Sequence, residues 1–174
     1  MKKVTSLAMM CLMAFLMCVL VSCTDKDNGS VGGSEAPGSY VDLGLSSGTK
    51  WKTTNEENAA DAEYALFTYD EAVSQFGNRL PTKERWEELK DECRWSWTGS
   101  GYKVTGPNGN SISLPAAGSR IAVYGVVNGV GSDGYYWSST TSSSFAWALV
   151  FKSFGVGVNG CERCNGQSVR LVQN

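Results

Sequence analysis

The stretch Arg79-Leu80-Pro81-Thr82-Lys83-Glu84-Arg85-Trp86-Glu87-Glu88-Leu89-Lys90-Asp91-Glu92-Cys93 decides how the rest of the chain is read. Thr82 places a hydroxyl where a helix would begin. Trp86, Leu89 and Cys93 follow at i, i+3 and i+7, one apolar stripe among charged residues. The spacing predicts a short helix whose stripe packs into a core. Directly after Cys93 the period changes to two, with Trp95 and Trp97 alternating with Arg94, Ser96 and Thr98. Gly99-Ser-Gly101 and Gly106-Pro-Asn-Gly109 then break the chain around Tyr102–Thr105 and Ser111–Leu114. That pattern predicts a meander of two hairpins.

The same reasoning extends outward. Upstream, Thr68-Tyr-Asp-Glu-Ala-Val-Ser-Gln-Phe76 reads as a second short helix, capped by Thr68, with Asp70 and Glu71 at its positive end. Gly77-Asn78 ends it. Tyr40–Leu45 reads as a first strand, Ser46–Thr49 as a turn, and Lys50-Trp51 as the start of another strand. Residues 54–63 and the Gly-rich 115–134 read as loop. Tyr135–Thr140, Phe145–Val158 and Ser168–Val172 read as further strands. Two short helices with many short antiparallel strands predict an α+β domain over residues 40–174.

Composition narrows the chemistry. The chain has 174 residues and no His. That excludes Ser-His-Asp and Cys-His catalysis, His-ligated zinc and imidazole proton shuttles. Six Trp and seven Tyr offer buried anchors or exposed ligand platforms. At the N-terminus, Lys2-Lys3 precede an apolar run from Leu7 to Val21, which ends Leu20-Val-Ser-Cys23. This segment reads as a targeting signal and not as fold. Leu20–Cys23 resembles a bacterial lipobox, which implies a lipoprotein signal peptide over residues 1–22 and acylation of Cys23. Losing Lys2 and Lys3 takes the net charge from −2 to −4, against a nucleic-acid partner. Residues 23–39, rich in Asp, Asn, Ser and Gly, read as a flexible tether. Asp25-Lys26-Asp27 looks like the acidic export signal of Bacteroidetes surface lipoproteins, and a plain charged tether would look much the same. The expected location is the outer membrane, lipid-anchored at the cell surface.

Several segments carry a wider resemblance. Arg79–Leu89 resembles the "RLPT…EWE" segment of formylglycine-generating-enzyme-like domains, and Ser168-Val-Arg-Leu-Val172 their closing strand. Tyr40–Trp51, Tyr102–Ile112, Leu114–Gly118 and Gly134–Thr140 are similar to the Fibrobacter succinogenes major paralogous domain of Bacteroidetes. The resemblance implies a C-type-lectin-like fold, with two short helices, a twisted, mainly antiparallel sheet and long loops. Fold alone does not carry activity. The calcium motifs of sugar-binding C-type lectins are not matched: Gly106-Pro-Asn108 lacks the acid, and Ser-Ser follows Trp137. No metal and no cofactor are expected.

The C-terminal region resembles the variable region of proteins diversified by retroelements. Trp147, Leu149 and Phe151 share one strand face, and Ala148, Val150 and Lys152 the other. The first face reads as core and the second as an unconstrained surface. The resemblance implies a fixed framework of Trp137, Ser138, Ser139, Ala146, Trp147, Leu149, Phe151, Ser153, Val156, Val158, Arg163, Gly166, Ser168, Val169 and Arg170. It implies ligand contacts at Phe145, Ala148, Val150, Lys152, Gly155, Gly157, Asn159, Gly160, Cys161, Glu162, Cys164, Asn165 and Gln167. Lys152 and Glu162 are harder to reach from a mutated Asn codon than the others.

Cys161-Glu-Arg-Cys164 is the remaining motif. It precedes no helix, whose dipole would stabilise a thiolate, and no second ligand pair supports zinc. A bridge between the two would close a tight loop and contribute little loop entropy. With Cys23 acylated, Cys93, Cys161 and Cys164 remain, and Cys93 lies on the helix stripe. The expected function is non-catalytic binding of a protein or glycan through a face formed by residues 136–167. The alternatives are a structural or adhesin-type subunit of a surface assembly, or a copper oxidase of the formylglycine-generating type using Cys161 and Cys164.

Overall fold

The computed structural model describes residues 38–174. The expected signal peptide (1–22), the lipidation site Cys23 and the tether as far as residue 37 lie outside the described residues.

The two helices form where local chemistry demands them. Helix α1 spans Tyr69–Phe76 and α2 spans Lys83–Glu92. Thr68 and Glu71 cap α1 reciprocally: Thr68 Oγ1 accepts from Glu71 N at 3.4 Å, and the Glu71 carboxylate accepts from Thr68 N at 2.8 Å. Thr82 Oγ1 accepts from Arg85 N at 3.3 Å to open α2. Trp86 and Leu89 are completely buried, while Cys93, the α2 C-cap, is half-buried. One 3₁₀ turn at Ala59–Asp61 lies within the expected 54–63 loop, and another at Gly77–Arg79 follows α1.

Eleven described strands divide among three sheets. Strands β1 (Tyr40–Asp42), β2 (Lys50–Lys52) and β11 (Val172–Gln173) form the first, with β2 in the middle. Strands β3 (Arg94–Trp97), β4 (Gly101–Thr105) and β5 (Ser111–Pro115) form the expected meander. The third sheet has the order β10-β9-β8-β6-β7. It comprises β6 (Ala117–Ile121), β7 (Val126–Val130), β8 (Asp133–Ser142), β9 (Phe145–Lys152) and β10 (Gly155–Glu162). Its pairings are antiparallel except β6 with β8, where Gly118 faces Gly134 in parallel. The class is α+β.

Three expectations change here. Residues 115–134 are not mostly loop, because β6 and β7 form a hairpin within them. Gly118 makes that pairing possible: its φ is +76°, and a Cβ there would lie 2.3 Å from the Asn128 carbonyl oxygen. Phe145–Val158 is not one strand, because the chain turns at Ser153-Phe154 and returns as β10, with Val156 opposite Phe151. Ser168–Val172 is strand only at Val172, where β11 begins. Its first residue is held by a single bridge, Ser168 to Tyr136, and the residue before it by another, Gln167 to Phe67.

Two apolar clusters account for the placement of the five-stranded sheet. One gathers Trp51, Trp86, Leu89, Tyr102, Tyr136, Leu149 and Phe151. The other gathers Phe67, Tyr69, Leu80, Trp137, Ala146, Ala148 and Leu171. Alternate residues of β8 and β9 enter opposite clusters, so both faces of this part of the sheet are covered. The Trp86 indole donates to the Trp137 carbonyl at 3.2 Å and the Trp137 indole to the Phe67 carbonyl at 2.7 Å, so both rings are buried with their N–H groups satisfied.

Arg170 joins the sheets. It is 1 % exposed. Its Nε and Nη2 donate to Asn55 Oδ1 at 3.0 and 2.7 Å, Nη1 to the Lys52 carbonyl at 2.7 Å, and Nη2 also to the Ser113 carbonyl at 2.7 Å. Burial pulls its guanidinium below the ordinary value, and burial likewise pushes the neighbouring Tyr136 phenol up to about 12. Replacing Arg170 by Met removes the donor from three part-buried acceptors, each costing roughly 1 kcal/mol or more. Urea unfolding of Arg170→Met is expected to show a loss of at least about 3 kcal/mol. Lys152→Ala, at an exposed position, is expected to stay within about 0.5 kcal/mol of the parent.

Candidate functional site

The thirteen expected contact residues do not form one continuous surface. Phe145, Lys152, Gly155, Asn159, Gly160, Glu162 and Cys164 are exposed. Val150, Gly157, Cys161 and Asn165 are half-buried. Ala148 is fully buried and Gln167 is 1 % exposed, so neither lies on the outward surface where it was expected. The reason for Ala148 is the second apolar cluster, which packs Phe67, Tyr69 and Trp137 over the face of β9 that alternation alone left open. Gln167 is buried because its backbone exchanges two hydrogen bonds of 2.9 Å with Phe67. Conversely Trp147, expected in the core, is half-exposed, and the Lys83 ammonium sits 4.3 Å from its ring centroid.

Six of the thirteen come together. Phe145, Gly160, Cys161, Glu162, Asn165 and Gln167 line one side of a cleft of about 340 Å³. The other side comes from Ser119 and Ile121 of β6, Asn128 of β7, and Asp133 and Tyr135 of β8. Sequence reasoning missed these five because most of them fall in the stretch read as loop. The signal available was the Tyr124-Gly125 pair between Ile121 and Val126-Val127, a hairpin pattern.

The turn after β10 is fastened to this second wall. Arg120 N donates to the Gly166 carbonyl at 2.8 Å, and Gly166 N donates back to the Arg120 carbonyl at 2.9 Å. Ser119 Oγ donates to the Gly166 carbonyl at 3.2 Å, and Ala122 N donates to Asn165 Oδ1 at 3.2 Å. On the far side, Arg163 pairs with Asp70 and stacks over the Tyr69 ring, 4.9 Å from its centroid. The turn is thus held between β6 and the start of α1.

Inside the cleft the charges are largely spent. Asp133 pairs with Lys152 Nζ at 3.0 Å and accepts from Ser132 Oγ at 2.9 Å. Burial, with the Asp133 charge adding to it, raises the Tyr135 phenol above its usual range. Burial also raises the Cys161 thiol, partly offset by a hydrogen bond from the Gln167 side chain. The amide oxygen of that side chain, Gln167 Oε1, is buried with no hydrogen-bond partner. Asp133 already holds Lys152, so Glu162 is the carboxylate left open to a ligand.

The two cysteines of the Cys-x-x-Cys stretch have different surroundings. Cys161 faces the cleft, while Cys164 lines a separate hollow of about 130 Å³ with Asp61, Thr68 and Arg120. Both are free thiols, as is Cys93, which burial and the charges of Glu92 and Glu88 push up to about 11. Among the described residues no group of three or more Cys, Asp or Glu side chains is placed to share a metal ion. No described helix is long and apolar enough to cross a membrane.

An α+β domain with a cleft of mixed polar and apolar lining between the β6–β7 hairpin and the end of β10 is therefore the class that the fold and site define. The family described as "Domain of unknown function (DUF8237)" matches residues 83–172, just over half of the chain, and the chain belongs to that family. No curated protein and no solved structure matches it.

Thiol reactivity follows from accessibility and thiolate fraction. Alkylation with iodoacetamide at pH 8, resolved per cysteine by peptide mass spectrometry, is expected to label Cys164 first. Cys161 should follow more slowly, and Cys93 should be the slowest of the three.

Proposed function

We propose that the protein is a non-catalytic binding module of C-type-lectin-like fold, anchored at the outer membrane surface through a lipid on Cys23. Its ligand is a protein or glycan, and its binding face is formed by the C-terminal strands and turn over residues 136–167. The retroelement resemblance extends the reading to diversification of the exposed positions on that face.

One observation carries the reading. Six residues expected to vary meet five residues from outside the expected variable region around one cleft. The framework expected to stay constant is mostly buried beneath it, with Trp137, Leu149, Phe151, Val169 and Arg170 at most 1 % exposed. A surface arranged in this way can change its contacts without disturbing the core, because exposed substitutions cost little and core truncations cost much. Cys161 faces the cleft while Cys164 lines a separate hollow, which favours binding over the copper-oxidase alternative, since that chemistry needs both thiols on one ion.

Two measurements test this. Asn159→Ser and Glu162→Ala are expected to leave stability within about 0.5 kcal/mol of the parent, while Trp137→Ala is expected to cost about 3–5 kcal/mol, both read from urea melts. Comparison of DNA from sister strains across residues 136–170 should place changes at exposed positions such as Phe145, Asn159, Gly160, Glu162 and Cys164. Changes falling as often on buried Trp137, Leu149, Phe151 and Arg170 would sink the proposal.

A further inference from the structure

We infer that the free edge of β10 pairs with the β10 of a second copy of this chain. The two strands run antiparallel about a two-fold axis at Gly157, and the two five-stranded sheets join into one. The inference does not depend on what the cleft holds.

The open backbone is the first argument. Lys152 and Gly155 flank a two-residue turn, so they bond to each other, and alternate residues of β10 follow them. Gly155, Gly157, Asn159 and Cys161 thus turn their N–H and C=O groups toward β9. Val156, Val158 and Gly160 turn theirs outward. Among the described residues no strand or side chain takes these outward groups. The pairing with β9 runs unbroken over all eight residues of β10, so the edge is regular enough to extend. The opposite edge of the same sheet is different. In β7, Gly129 has a φ of +79° and spends its carbonyl on Ser132 N at 3.0 Å, and a kinked edge of that kind blocks strand addition.

The second argument is self-complementarity. With the axis at Gly157, Val156 of each copy lies opposite Val158 of the other, and these two exchange both backbone bonds. Phe154 lies opposite Gly160, where a ring covers backbone that glycine leaves bare. Phe154 is 86 % exposed, the most exposed large apolar side chain among the described residues. Val156 and Val158 are only half-buried by the first apolar cluster. Moving the axis to Val158 sets Phe154 against the charge of Glu162 and Val156 against Gly160. The axis at Gly157 leaves Glu162 beyond the paired stretch.

Charge is the third argument. No charged residue occurs from Phe154 to Cys161, so like charges do not meet across the axis. Helix α2 packs on β10, and its Lys83 and Glu87 already pair with each other at 3.3 Å. The axis stands perpendicular to the sheet, so facing residues share a side. On the binding-face reading, the two clefts then open on the same side and can engage one surface together.

A strand pair is smaller than a standard interface of about 800 Å² per partner, so the association is weak and a covalent trap is the sensitive readout. The test uses the full chain in detergent micelles, oxidised with copper(II)–phenanthroline. Dimers are quantified on non-reducing gels and their links assigned by peptide mass spectrometry. Across the axis two Gly157 Cα atoms lie about 4.5 Å apart, within disulfide range. A Cβ at Gly157 meets only Asn159 Nδ2, at 3.4 Å. Gly157→Cys is expected to form its 157–157 link at least about tenfold faster than Gly155→Cys forms a 155–155 link. Gly155 is the more exposed of the two, but its copies lie roughly 13 Å apart along the strands. Adding Phe154→Asp to Gly157→Cys should slow the link severalfold. Sedimentation velocity of the parent, from micromolar to millimolar chain, should show a dimer that Phe154→Asp weakens. Amide spectra report folding, and if Gly157→Cys does not fold, sedimentation of the parent and of Phe154→Asp decides alone. A 157–157 link no faster than 155–155, a link from Gly155→Cys to Cys161, indifference to Phe154→Asp, or a monomer at every concentration would each overturn the inference.

Discussion

The buried guanidinium of Arg170 is the constraint on which the rest of the structure depends. Its hydrogen-bond partners are uncharged oxygens from three separate parts of the chain: Lys52 on β2, Asn55 in the following loop and Ser113 on β5. Such a charge is tolerable only when its donors are met. The set is extended by Tyr136, which accepts from Asn55 Nδ2 at 3.2 Å and donates to the Pro115 carbonyl at 2.6 Å. One side chain thereby ties the small β1-β2-β11 sheet, the meander and β8 into a single arrangement. The position of the chain just before it, from Asn165 to Val169, follows from that anchoring. The cleft inherits its floor from the same stretch.

A five-stranded sheet covered on both faces leaves few places for a surface site. The apolar clusters built on Trp86 and on Trp137 take the middle of β8 and β9. What remains open is the β10 side, the turn at residues 163–165 and the β6–β7 hairpin. The Gly166–Arg120 pair of hydrogen bonds closes the gap between turn and hairpin and turns two exposed segments into opposite walls. Chemistry inside is subdued by the same packing: the Cys161 thiol is pushed up by burial and Asp133 is paired with Lys152.

Legibility in the sequence followed the range of the interactions. Helix α2 was readable because Thr82, Trp86 and Leu89 follow one another along two helical turns, and α1 because Thr68 and Glu71 cap each other within one. The β3-β4-β5 meander was readable from its turn glycines. The β6–β7 hairpin was missed although Tyr124-Gly125 marks its turn, because its glycines read as loop while Gly118 is there to fit against Asn128. Ala148 misled because alternation says which residues share a face and not whether that face is covered. Gln167 misled because a long amide reads as surface by type, while its place is decided by Phe67, a hundred residues earlier. Arg170 was grouped with the framework by resemblance alone. Nothing in its neighbours, Val169 and Leu171, announces that its partners lie on β2 and β5.

Strand β10 carries most of the exposed candidate residues and is an edge strand, paired in the described sheet with β9 alone. Three of its eight residues are glycine. Its backbone is held by one ladder and by the packing of Val156 and Val158 on the first apolar cluster and of Cys161 on the second, and none of the Arg170 bonds depends on it. In the language of partial unfolding, an edge strand held by one ladder is the segment expected to open before the doubly covered β8 and β9. A segment of that kind accepts sequence change and local adjustment to a partner at little cost to the molecule beneath it.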